Sequence, residues 1–193
     1  AMNVFARWLA EGDLTSDGKA NEVADVILDN PVRVEQLLDC FESDDPIVRG
    51  HAADAAEKIA REKPEILLPY MHILFKTAVE DPIGMVKQHL AMLFGHTSIF
   101  EEWVDTSVTT LFKLLEDQHA FTKVWAISSL CIIDELYPKY QPRILGEIVQ
   151  IDESSKKSVH KRVQKARKTL TGGADFPKGW VKSLAIQAMI NNQ

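Results

Sequence analysis

Cysteine is nearly absent from this 193-residue chain: only Cys40 and Cys131 occur, each within an apolar stretch of helical spacing. Two such thiols do not make a disulfide scaffold, and they point to a reducing, intracellular setting. Glycine and proline are also scarce, at 9 and 8, which excludes collagen-like and low-complexity chains. No uninterrupted apolar run approaches the roughly 18 residues of a membrane span, so a soluble protein with no membrane contact is expected. Met2–Leu9 is too short and too amphipathic for a signal peptide, so the expected location is cytoplasmic. Ala1 ahead of Met2 reads as the remnant of a cleaved expression tag.

What the chain does contain is 46% hydrophobic and 26% charged residues with a formal charge of −6. Its length suits one domain, 1–193, with a continuous core. The charge is divided: residues 1–153 hold 13 Lys/Arg against 27 Asp/Glu, while residues 154–193 hold 9 against Asp175 alone. An acidic body with a basic end follows.

Strand patterns are missing and period 3.6 recurs throughout. Val48, Ala52, Ala55, Ala56, Ile59 and Ala60 form one helical stripe, with Arg49, Asp54, Glu57, Lys58 and Arg61 away from its centre. A second helix is expected from Pro64 to Val79, with Leu67, Tyr70, Met71, Leu74, Phe75 and Ala78 inward. The helix pairs repeat. Acidic starts occur at Asp45, Asp81, Asp117 and Asp152, at intervals of 36, 36 and 35 residues. Aspartate suits an N-cap and proline the first helical position. A basic residue follows each start: Arg49, Lys87, Lys123 and Lys156.

A helix-turn-helix unit of this length cannot bury its apolar face alone, so its neighbours must stack on it. The run Asp44-Asp45-Pro46-Ile47-Val48-Arg49-Gly50-His51-Ala52-Ala53-Asp54-Ala55-Ala56 resembles the first helix of a HEAT repeat. Weaker versions start at Asp81, Asp117 and Asp152, and a degenerate unit covers Lys19 to Ser43. The resemblance implies an all-α chain: a right-handed α-solenoid of four to five HEAT-like helix pairs with capping helices. Residues 2–18 would be an N-terminal cap and loop, 19–170 the repeats, and 171–193 a C-terminal capping helix or, alternatively, a docking helix for a partner.

Sites of chemistry are few. Asp13-Leu14-Thr15-Ser16-Asp17-Gly18 begins like a calcium loop, but position 12 is Ala24 instead of a bidentate glutamate; a polar loop capping the next helix is expected. None of the six histidines precedes a glutamate, so the iron-binding His-Glu pairs of some HEAT enzymes are missing. His89 and His96 have no carboxylate spaced to complete a metal site, and no metal or cofactor is expected. Ser128-Ser129 reads as packing, since no base or oxyanion donor is evident. No phosphate loop or dinucleotide fingerprint occurs.

The resemblance therefore implies a non-enzymatic protein-binding or scaffolding module that uses its concave face and a basic C-terminal helix. The candidate partner-binding residues are the ladder Arg49, Lys87, Lys123 and Lys156 with the helix residues Lys157, Lys161, Arg162, Lys165 and Lys168; in stacked repeats each ladder member is also expected to pair with the aspartate of its own or the adjacent unit. The expected partner is a protein with an acidic segment. The competing expectation is a DNA-binding or DNA-repair protein of the HEAT-like alkylpurine glycosylase type, using Trp103, Asp105 and Trp125. The acidic balance of the repeats opposes a polyanionic ligand.

Overall fold

In the computed structural model, which describes residues 3–151 and 155–192, the repeated aspartates perform one task three times. Asp45 Oδ1 accepts the Ile47 N–H at 2.9 Å, Asp81 Oδ1 the Ile83 N–H at 2.9 Å, and Asp117 Oδ2 the His119 N–H at 3.0 Å. Each bond closes a side-chain-to-backbone turn, and a helix follows: α4 (Pro46–Glu62), α6 (Gly84–His96) and α8 (Ala120–Leu136). The starts differ in register. Asp45 is the N-cap of α4 with Pro46 first in the helix, whereas Ile83 and His119 hold the N-cap positions of α6 and α8. Asp152 lies outside the described residues.

The remaining α-helices are α1 (Val4–Leu9), α2 (Ala20–Asp29), α3 (Val34–Asp39), α5 (Met71–Glu80), α7 (Val104–Leu114), α9 (Gln141–Ile148), α10 (Lys157–Leu170) and α11 (Leu184–Asn191). Among the described residues there is no strand. The helix expected over 64–79 is split: Pro64–Tyr70 is 3-10 and only Met71 onward is α-helical. Pro69 lacks an N–H and its ring crowds the preceding turn, which opposes a continuous α-helix there.

Successive long helices pack side by side: α2 on α4, α4 on α6, α6 on α8 and α8 on α10. The other helices pack against these, α5 between α6 and α7, α7 against α8, and α9 against α8 and α10. One apolar cluster runs from Phe5 and Leu9 in α1 to Leu170 and Trp180. In α4 the buried small residues Ala52, Ala53, Ala55, Ala56 and Ala60 let neighbouring helices approach closely. Gly95 does the same in α6, because a Cβ there would stand 2.6 Å from Ser129 Oγ.

Two placements depart from the sequence expectation. Asp54 and Glu57, assigned away from the apolar stripe of α4, are both buried, because α6 covers the side of α4 that carries them. The C-terminal segment also folds back: α11 contacts α4 and α8. Val181 and Ile186 join Ile132 in a separate small core, with Ile99, Leu136, Phe176 and Ile190 packed against it.

Candidate functional site

The basic ladder is turned inward. Arg49 Nε donates to Asp81 Oδ2 at 2.8 Å and its Nη1 to the Ser43 carbonyl at 2.9 Å. Lys87 Nζ donates to the carbonyls of Ala78 and Val79 at 3.1 and 3.2 Å and stands 3.5 Å from Asp117 Oδ1. Lys123 Nζ reaches Ser155 Oγ at 3.4 Å. Arg49, Lys87 and Lys123 are each the fourth residue of their helix, and the fourth residue of α10 is His160. Lys156 is the N-cap of α10 and not a rung of the ladder. Variable loop lengths let a count from the preceding aspartate slip, while position within the helix does not. Burial pushes the Asp117 carboxyl up, but the hydrogen bonds from the His119 backbone and ring, with the Lys87 charge, outweigh it and hold the group below its ordinary value.

A second, polar row crosses α4 and α6. Glu57 Oε1 accepts Arg61 Nε at 2.7 Å and lies 3.3 Å from His96 Nδ1, at ion-pair distance. Glu57 and His96 are almost fully buried. His96 Nε2 accepts the Lys182 N–H at 3.1 Å, which places the ring proton on Nδ1, facing Glu57. Burial raises the Glu57 carboxyl, yet the bonds from His96 and Arg61 prevail and keep it below the usual carboxylate range. One turn earlier, Asp54 Oδ1 accepts Lys58 Nζ at 2.8 Å and faces His89 Nε2 at 3.4 Å. Glu57 Oε2 and Asp54 Oδ2 are buried with no hydrogen-bond partner among the described residues. No local pattern marks the pairs between helices, since they join residues more than thirty positions apart.

Arg162 differs from the rest of α10. Its guanidinium lies over the rings of Trp125, at 5.3 Å, and Trp180, at 5.1 Å. It also donates to Ser128 Oγ, and no carboxylate pairs with it among the described residues. Burial lowers its pKa from the ordinary arginine value. Ser128 is thus a packing and acceptor residue, and Ser129 Oγ donates to the Ala91 carbonyl at 2.6 Å.

Lys157, Lys161, Lys165 and Lys168 are exposed along α10. None forms an ion pair among the described residues, in contrast to Arg49, Lys58, Arg61 and Lys87. The structure thus divides the candidate residues into an internally bonded group (Arg49, Lys87, Lys123, Arg162) and an outward-facing group on α10. Lys156 lines a groove of about 610 Å³ at the N-terminal ends of α6, α8 and α10, with Pro82, Met85, His119 and Phe121.

Trp103 and Asp105 are not joined with Trp125. Trp103 rests 5.9 Å from the Phe75 ring, and the exposed Asp105 accepts the Tyr140 hydroxyl. Burial and that carboxylate push the Tyr140 hydroxyl up to about 12. In the loop at 13–18, Asp13 Oδ1 accepts the Thr15 N–H at 2.8 Å and the Thr15 hydroxyl at 2.6 Å. No side chain caps α2, so the expected capping role is replaced by a clamp: His51 Nδ1 faces the Leu9 carbonyl at 2.7 Å, and its Nε2 faces those of Asp13 and Ser16 at 2.8 and 2.9 Å. Burial pushes the Cys40 thiol up to about 11 and the Cys131 thiol higher still, which suppresses thiolate reactivity. Among the described residues no group of three or more His, Cys, Asp and Glu is placed to hold a metal ion, and no helix is long and apolar enough to cross a membrane.

No protein-family model matches this chain, and no curated protein is found to match it.

Proposed function

We propose that the chain is a right-handed α-solenoid of HEAT-like units that serves as a non-enzymatic protein-binding module for a partner with an acidic segment. The aspartate turns at three successive starts and the basic residue at a constant helix position support the repeat reading, as does the side-by-side packing of α2, α4, α6, α8 and α10. The observation that carries the function is the outward lysine row of α10, left without intramolecular partners among the described residues while the other long helices pair theirs. Such a row attracts an anionic surface and releases it as salt rises. No aromatic ring is interleaved with the lysines on α10, which disfavours stacking on nucleobases.

The test uses the full chain, a fluorescent deca-glutamate peptide and a DNA duplex. Binding of the peptide should weaken at least tenfold in the K161E/K165E/K168E variant and fall with salt. Arg162 stays unchanged because it is packed between two indoles. Equal affinity in wild type and variant would remove α10 from the function. Duplex binding with release of an alkylated base would replace this reading with the glycosylase one.

A further inference from the structure

The C-terminal segment rests on the body much as a bound peptide rests in a groove. Residues 171–175 are all exposed, and Gly172 has a φ of +77°. Nothing lies within 4 Å of where a Gly172 Cβ would stand, so this tether is free of packing on that side. Beyond it the body engages four features of the segment. The Trp180 ring meets the Arg162 guanidinium, and Phe176 meets Trp180 edge-on at 5.8 Å. Val181 and Ile186 sit in the small core with Ile132. The Lys182 N–H is received by His96 Nε2, a buried acceptor whose Nδ1 stands 3.3 Å from the Glu57 carboxylate behind it.

A buried imidazole aimed at one backbone amide, beside a guanidinium that meets an indole and an aliphatic patch, is a peptide-reading arrangement. The fit of the resident segment is also incomplete. α11 buries only Ile186, and its other side exposes Leu184 and Met189. A groove of about 850 Å³ remains, lined by Glu135 and Thr169 of the body and otherwise by residues between 172 and 191 of the segment and its tether. Glu57 Oε2, behind the His96 that receives the segment, has no donor.

We propose that the face of α4, α6 and α8 under the C-terminal segment is a peptide-recognition groove, occupied in cis by residues 176–191 as a displaceable strap. The partner it fits is a peptide of the strap's own chemistry: an indole, an adjacent aliphatic residue, a free backbone N–H and a short helix with one aliphatic face. The proposal rests on the protein-binding reading but uses a surface separate from the lysine row of α10.

The test keeps the full chain and weakens the strap by W180S/V181S/I186S. A fluorescent synthetic peptide of residues 174–192 is then titrated. The weakened chain should bind it at least tenfold more tightly than wild type does, because the cis competitor is disabled. Adding H96A to the weakened chain should cost at least tenfold. Equal binding by wild type and weakened chain, or none by a weakened chain with native circular dichroism, would overturn the proposal. If the substitutions unfold the body, hydrogen exchange in wild type decides. Amides of α11 exchanging well before those of α6 and α8 support a strap that lifts, and exchange only with global unfolding overturns it. K161E/K165E/K168E should leave binding of the 174–192 peptide unchanged, so failure of one surface is distinguishable from failure of the other.

Discussion

One carboxylate, Asp81, sets the start of α6 through Oδ1 and receives Arg49 of the neighbouring helix on Oδ2 at 2.8 Å. A local turn and a contact between neighbouring helices therefore share a residue, and Asp117 repeats the arrangement with His119 and Lys87. Such sharing couples the position of each long helix to the next.

Arg49→Ala and Asp81→Ala should each cost about 2–3 kcal/mol, since each strands a poorly exposed charge. In a urea-denaturation double-mutant cycle the pair should show strong coupling. Arg49→Lys should not restore stability, because an ammonium cannot reproduce the fork that also reaches the Ser43 carbonyl. Additive single losses would show that the contact does not join the helices energetically.

Gly95→Ala should destabilise by about 1–3 kcal/mol through overpacking. The added Cβ would meet Ser129 Oγ at 2.6 Å and Ile132 Cδ1 at 3.1 Å. Pairing it with Ser129→Ala should recover part of the loss in thermal unfolding. A neutral Gly95→Ala would mean that α6 and α8 separate freely.

His51→Ala removes the group that the carbonyls of Leu9, Asp13 and Ser16 face, and should cost about 2 kcal/mol. The effect should be local first: limited proteolysis should cut between residues 10 and 18 long before the body unfolds. Unchanged cleavage would show that the loop holds itself through Asp13 and Thr15.

Two buried carboxyls should give opposite pH signatures. Burial, reinforced by Glu135, pushes Asp134 up to about 6 from the ordinary 3.8. The folded chain then keeps a proton that the unfolded chain releases, so this group's contribution to stability falls as pH rises through that interval. Asp134→Asn should therefore stabilise the protein at pH 7, by on the order of 1 kcal/mol after solvent screening, and have little effect at acid pH. Glu57 is held below its ordinary value, so its contribution is present at neutral pH and lost as pH falls through its folded value. Glu57→Gln should lower stability at pH 7 and flatten the acid limb of a stability–pH curve. Same-signed changes for the two variants at pH 7 would contradict these assignments.

The helical class and the starts of α4, α6 and α8 were legible because they depend on residues within one or two turns. The period of the apolar stripe, the aspartate two residues before its N–H partner and the proline at Pro46 are all local signals. Lys156 was misplaced in the ladder because the count began at Asp152, and loops change length more readily than helices do. His160 holds the matching helix position. Arg162 read as one more cation of a basic run, and only its neighbours Trp125, Ser128 and Trp180 separate it from the lysines beside it.

By itself the sequence determined that this chain is helical, where α4, α6 and α8 begin and which end carries unneutralised positive charge, all through short-range backbone bonding and composition. Tertiary structure alone decided that Glu57 and His96 are buried together, that Arg162 lies between Trp125 and Trp180, and that residues 176–191 return to α4 and α8. Burial and charge pairing depend on which surfaces meet across long stretches of chain, and a helical period shows which face is apolar without showing what covers the polar edge beside it.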